Sequence, residues 1–190
     1  MDDEAALIQR AQAGDAQAFE MLVRRHQQQV YAVALRMLGD AGEAEEVAQD
    51  AFVRAYRSLS GFRREAKLST WLVSITMNLC RNQRRWWARR KRVIAASIDA
   101  PDPETGAPGM DVADPAPDAS VTAQRKDQAR LVLAALQGLS AMDREVIVLR
   151  DLQGHSYEEI ARIAKCQVGT VKSRLSRARW QLRTLLDGAL

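Results

Sequence analysis

Two groups of side chains have the types and spacing to do chemistry, and in both the chemistry is capture of a polyanion. Arg81, Arg84, Arg85, Arg89 and Arg92 recur at intervals of 3, 1, 4 and 3 residues, so a helix would set them on one face, with Trp86 and Trp87 interleaved. Guanidinium groups hold phosphates and indoles offer flat faces to bases, a combination suited to partly single-stranded DNA. The second group lies in residues 165–183, which contain six basic side chains and no acid. There Lys172, Ser173, Ser176, Arg177 and Trp180 fall opposite an apolar stripe of Val171, Leu175, Ala178, Leu182 and Leu185. On a helix this makes a cationic ridge of the width that enters a major groove, with two serines short enough to allow close approach. A charge run alone is more often a solvated helix face, so the setting of this one decides its meaning.

Covalent and metal chemistry find little footing. His26 and His155 are the only histidines, and neither stands at a metal-ligand or nucleophile–base spacing. His26 falls on an apolar stripe and reads as a packing residue; His155 precedes a helix cap. Cys80 and Cys166 are far apart with no CxxC, and are expected to be packing thiols rather than a disulfide, a zinc site or a redox sensor. No phosphate-cradling glycine loop and no GxSxG occur. The chain is therefore expected not to be an enzyme, and to need no cofactor, metal or small-molecule substrate. The acidic start lacks the pattern of an export signal, and no stretch approaches 18 apolar residues, so a cytoplasmic location is expected.

The elements that must position these groups are helices. Asp15 precedes apolar positions Phe19, Leu22, Val23, Val30, Val33, Ala34 and Met37, and Gly39 follows them: one buried stripe between a cap and a stop. The pattern returns at Ala44, Val47, Ala48, Ala51, Phe52, Ala55, Tyr56 and Leu59, and a third helix is expected from Ser69 with Leu72, Ile75 and Leu79 inward. Later, Ala129, Val132, Leu133 and Leu136 mark a helix closed by Gly138, and Ser140 with Asp143 opens another that contains Met142, Val146 and Leu149. Ser156-Tyr157-Glu158-Glu159 is a capping box that starts a short helix. A tight connection at 165–168 and a long basic helix from about 169 to 186 complete a helix-turn-helix arrangement. That setting turns the basic ridge from a solvated face into a candidate DNA reader. No window alternates with period two, so the class is all-α.

Charge divides the chain further. Net charge is +4, but residues 1–53 carry −6, 54–96 carry +11, 97–122 carry −6 and 123–190 carry +5. The third block holds six acids, no base and all five prolines, which argues for an extended, self-repelling tether. The expected organisation is two small helical domains, 1–96 and 122–190, joined by a flexible acidic Pro-rich linker at 97–121.

Four segments, EAEEVAQDAFVRAYRSL (43–59), FRREAKLSTWLVSITMN (62–78), LSAMDREVIVLRDLQGHSYEEIA (139–161) and CQVGTVKSRLSRAR (166–179), stand in this order on either side of the acidic block. Together they make the chain resemble the extracytoplasmic-function sigma factors, the smallest members of the bacterial sigma-70 family. The resemblance implies that residues 1–96 form sigma region 2 and residues 122–190 sigma region 4. It implies that Glu45, Glu46, Gln49 and Asp50 meet the coiled coil of the β′ clamp of core RNA polymerase, with the β flap as a second core contact. Phe62, Arg63, Arg64, Lys67, Leu68, Trp71, Asn78, Arg81, Arg84 and Arg85 would serve the opened minus-10 element, where a base is flipped from the non-template strand. Thr170, Lys172, Ser173, Ser176 and Arg177 would enter the minus-35 groove, with Arg150, Arg174 and Arg179 on phosphates. The linker would thread the polymerase cleft, its carboxylates resembling nucleic acid in charge. An anti-sigma factor, holding the protein at the inner membrane, and a stress or envelope-response regulon follow from the same resemblance. Gln167 stands where many relatives have proline. The residues themselves leave a second reading open, a stand-alone helix-turn-helix regulator that binds a palindrome as a dimer.

Overall fold

The computed structural model describes residues 3–97 and 119–188, with side chains described for 3–90 and 127–188. All regular structure among them is helical: α1 (Glu4–Gln12), α2 (Ala16–Leu38), α3 (Ala41–Ser58), α4 (Leu68–Ser97), α5 (Ala119–Gln137), α6 (Ala141–Ile147), α7 (Tyr157–Ala164) and α8 (Val168–Asp187). A single 3₁₀ turn, Leu59–Gly61, follows α3, and α6 runs on as a π-helical turn, Val148–Leu152.

The first unit is α1 to α4. The Asp15 carboxylate accepts from the backbone N–H groups of Gln17 and Ala18 and so starts α2. Gly39 ends it at φ +85°, a left-handed position. An added Cβ there would also lie 2.6 Å from the Gln137 side chain, which would have to shift. Asp40 caps α3 through the N–H of Glu43 at 2.8 Å. The buried face of α3 is Ala44, Val47, Ala48, Ala51 and Ala55, small residues that bring α2 and α4 close. Tyr56, expected on that stripe, is instead 48 % exposed. At 100° per residue it lies well off the alanine face, and its ring packs edge-on against Phe19 at 4.9 Å. On α4, Thr76 is fully buried and donates its hydroxyl to the Leu72 carbonyl at 2.9 Å, which removes the cost of an unpaired polar group.

Helix α1 is an element that periodicity did not announce. It buries Leu7, Ile8 and Ala11, and Gln12 donates Nε2 to the carbonyls of both Leu59 and Phe62 at 2.9 Å. Arg64, at φ +58°, donates to the Ala5 carbonyl. Both ends of the 59–64 stretch are thus fastened to α1.

The second unit packs Leu136, Leu139, Val146, Ile147, Leu149, Ile160, Ile163, Val171, Leu175 and Ala178 together. Both halves of the expected capping box form: Ser156 N–H donates to Glu159 Oε2 at 2.8 Å, and Glu159 N–H donates to Ser156 Oγ at 3.1 Å. Lys165 ends α7 in the left-handed region at φ +52°, and Cys166 N–H closes the turn onto the Ala161 carbonyl. Met142, expected with the apolar positions of α6, is 59 % exposed.

The two units meet through polar groups on two of three consecutive buried residues of α6. Arg144, 2 % exposed, donates Nη1 to the Met37 carbonyl of α2 at 2.6 Å and also to Gln137 Oε1; Nη2 donates to the Gln137 carbonyl at 2.8 Å. Glu145, 5 % exposed, pairs with Arg81 of α4 at 2.8 Å. Asp143 turns the other way, toward α8, and accepts from Arg177 at 2.7 Å. Thr70 Oγ1 donating to Glu159, and Gln29 Nε2 donating to Gln153, add to the junction.

Candidate nucleic-acid interface

Three surfaces carry the nominated residues. On α3, Glu45, Glu46, Gln49 and Asp50 are all exposed, on the side away from the alanine face. The same strip continues into Val53, 47 % exposed, and Tyr56. An acidic patch bordered by two exposed apolar side chains has the composition of a protein-binding surface and the wrong charge for DNA. Sequence patterning missed Val53 because it reads i+3 from Asp50, off the buried stripe.

The loop and helix nominated for an opened strand sort into two kinds. Phe62 and Leu68 are core residues, 8 % and 3 % exposed, and Phe62 packs on the half-buried Trp71 with ring centroids 4.9 Å apart. Neither can meet a base without rearrangement; each instead shapes the loop, whose Arg63, Arg64 and Lys67 are exposed. Beside it lies a cleft of about 380 Å³ lined by Arg63, Thr70, Trp71 and Ser74, with Glu159 and Arg162 of α7 on its far wall. On α4 the arginine face is divided. Arg81 donates to Asn78 Oδ1 at 2.6 Å, to the Ile163 carbonyl at 3.1 Å and to Glu145, and Arg84 donates to the Met37 carbonyl at 3.3 Å. Arg85 and Arg89 are exposed, and Arg92 lies outside the residues whose side chains are described. Trp86 and Trp87, 43 % and 39 % exposed, stand edge to face at 4.8 Å, with the Arg90 guanidinium 5.1 Å over the Trp86 ring. Glu145 shows what the closed junction costs: burial pushes its carboxyl above the usual range, and the Arg81 charge only partly offsets this.

On α8, Lys172, Ser173, Ser176, Arg177 and Arg179 are exposed while Val171, Leu175 and Ala178 are buried, as the stripe requires. Arg174 and Thr170 are half-buried, and Ser173 Oγ donates to the Thr170 carbonyl at 3.0 Å. Arg177 is clamped by both oxygens of Asp143, and Arg179 by both of Asp151, at 2.6 and 3.0 Å. For Asp143 burial pushes the carboxyl up, but the hydrogen bonds from Arg177 and Ser140 outweigh it and hold it below its ordinary value. Gln167 stands at the N-cap of α8 without a side-chain hydrogen bond, so this helix start depends on packing. Trp180 is 70 % exposed on the same side.

His26 is buried, as expected, with Nε2 3.2 Å from Glu4 Oε2. Cys80 is buried and burial pushes its thiol up to about 12, so it stays protonated; Cys166 is half-buried. Among the described residues no group of three or more His, Cys, Asp and Glu could hold a metal ion, and no helix is long and apolar enough to cross a membrane.

The family model for sigma-70 region 2 matches residues 22–92, and that for sigma-70 region 4 matches residues 129–182. The RNA polymerase sigma-H factor of Pseudomonas aeruginosa is 35 % identical over 179 residues, 94 % of this chain and 91 % of that one. The chain belongs to the ECF sigma factors of the sigma-70 family. The ECF RNA polymerase sigma-E factor of Escherichia coli is likewise 35 % identical, across 93 % of this chain and 90 % of its own. Among solved structures, CnrH in complex with the cytosolic domain of CnrY superposes with a TM-score of 0.66 at 29 % identity, covering 98 % of this chain and 99 % of that one. The sigma factor RpoE of Bartonella quintana, in complex with the anti-sigma factor NepR, gives 0.67 at 28 %, covering 89 % and 96 %. This sigma factor is thus a transcription initiation factor, and the reading as a stand-alone regulator falls away. The sigma factor family consists of non-enzymatic initiation factors.

Proposed function

We propose that this sigma factor divides initiation among three surfaces of its own. The acidic patch Glu45, Glu46, Gln49 and Asp50, with Val53 and Tyr56, docks on the β′ clamp of core RNA polymerase. Arg63, Arg64, Lys67, Trp71, Asn78, Arg81, Arg84 and Arg85, with Phe62 and Leu68 shaping the loop, take the minus-10 strand. Thr170, Lys172, Ser173, Ser176 and Arg177 read the minus-35 duplex, and Arg150, Arg174 and Arg179 meet its phosphates. The division into 1–96, linker 97–121 and 122–190 follows the same roles, the second domain also meeting the β flap. The linker acids lie outside the described residues; their proposed place is the polymerase cleft.

One observation carries this reading: exposed carboxylates of α3 and exposed cations of α8 lie on different elements, so one chain can bind a protein and a polyanion together. The junction adds a condition. Arg81 and Asn78 are bonded to one another, and Arg81 also to Glu145 and the Ile163 carbonyl, so the second domain must withdraw before the minus-10 strand reaches them. Core polymerase is the partner that separates the domains. Control by an anti-sigma factor is supported by two solved relatives that match this chain over most of its length, one in complex with an anti-sigma factor and one with the cytosolic domain of a partner. A cytoplasmic site of action, and a stress or envelope regulon, belong to this reading.

The assignment is tested by separating core binding from DNA opening. Asn78→Ala is expected to retain core affinity and lose strand opening, read by permanganate footprinting, whereas Glu45→Lys with Asp50→Lys loses core affinity. A core-binding defect for Asn78→Ala equal to its opening defect contradicts the assignment.

A further inference from the structure

The cations of the second domain are held in two different ways. Arg177 and Arg179 are each clamped by a carboxylate, so their charge is compensated within the protein. Arg150 and Lys172 are held by neutral groups. The Arg150 guanidinium lies 4.8 Å from the centroid of the Tyr157 ring, and the Lys172 ammonium lies 5.8 Å from the same centroid. Arg150 also donates Nη1 to the His155 carbonyl at 2.8 Å. These three residues come from three elements: Arg150 from the π turn, Tyr157 from the first position of α7 and Lys172 from α8. Tyr157 is itself fixed, since it is half-buried and follows the capping-box serine directly.

An aromatic face attracts a cation through its quadrupole without neutralising it, and leaves the N–H donors free. Two like charges gathered on one ring repel each other, and a neighbouring polyanion relieves that repulsion. Lys172 and the Tyr157 ring line a cleft with Ser176, Arg179, Trp180 and Arg183, and Arg150 lies against the Tyr157 ring beside it. Trp180, standing 70 % exposed, closes one side of it.

We propose that Tyr157 is a positioning residue for minus-35 binding: its ring seats Arg150 and Lys172 side by side, with full charge, Arg150 for the DNA backbone and Lys172 for the groove. Long basic side chains lose rotamer freedom when they grip a phosphate, and a cation already seated loses less. The proposal rests on the reading of α8 as the minus-35 face, and its failure is separable from failure of that reading.

The test uses holoenzyme assembled from the full chain and core RNA polymerase, on a duplex carrying a minus-35 sequence enriched by that holoenzyme from a randomised pool. Tyr157→Phe keeps the ring and is expected to bind within about twofold of the unsubstituted protein, while Tyr157→Leu weakens binding roughly tenfold. Thermal unfolding of both variants separates this loss from a folding defect. In a background lacking both cations, Arg150→Met with Lys172→Met, Tyr157→Leu should add almost nothing, because the ring acts through those charges. Equal loss from Tyr157→Phe and Tyr157→Leu would place the role in the hydroxyl and overturn the proposal. A full further loss in the background without the cations overturns it as well. If Arg150→Met with Lys172→Met itself leaves binding unchanged, the minus-35 reading of this face fails first, and the proposal with it.

Discussion

His155 shows how one buried residue ties stability to pH. It is 6 % exposed, its Nδ1 lies 3.7 Å from Glu159, and burial holds its imidazole below the ordinary histidine value despite that carboxylate. In the unfolded chain the same ring takes up a proton near the ordinary histidine value of about 6.5, before the folded ring does. Its contribution is therefore complete above that value and declines as pH falls through it toward the lower folded value. The melting temperature should drop between neutral and mildly acidic pH, and His155→Gln should flatten that part of the profile; an unchanged slope in a thermal-unfolding series would contradict the account. Residue types alone placed the exposed cations of α8 correctly, because a 3.6-residue period fixes which side of a helix each occupies. They did not reveal which of them are paired. Arg177 with Asp143 are 34 positions apart, Arg179 with Asp151 are 28 apart, and such partners are set by tertiary packing.

Helix ends were readable at the scale of elements because their signals are local. Asp15, Ser140 and Ser156 cap the helices that follow them, as read, whereas α4 begins at Leu68 and takes the expected cap Ser69 into the helix. The capping box at Ser156 orients the helix that carries Tyr157, so Ser156→Ala should cost about 1 kcal/mol of stability, measured by urea unfolding, with a proportionate weakening of minus-35 binding. No change in stability would mean that the helix start is held by packing alone, as at Gln167. Two elements escaped. Helix α1 has nine residues and buries three of them, too short a stripe to stand out from an acidic, alanine-rich start, and its Gln12 contacts reach 47 and 50 positions along the chain. The π turn at Val148–Leu152 widens a helix whose sequence continues a 3.6-residue pattern, and it brings Arg150 over the Tyr157 ring.

For the whole molecule, the division of a small net charge into alternating blocks foresaw two helical units, and both family models fall within them. Their packing on one another was not foreseen. Asp143, Arg144 and Glu145 read in sequence as an ordinary charged helix surface, yet they are 3 %, 2 % and 5 % exposed. Burial is affordable because each finds a partner on another element; for Arg144 it still drives the guanidinium down to about 10, with Arg84 adding to the effect. A junction built from buried charges is strong only while every partner stays in place, the property required of a joint that, as proposed, core polymerase opens. The central claim is that this chain selects promoters only as a subunit of RNA polymerase, and run-off transcription on a randomised promoter library tests it most directly. With purified core enzyme the chain should yield specific transcripts that neither component gives alone. Absence of any specific transcript, together with tight binding of the isolated chain to a palindromic duplex, would contradict it.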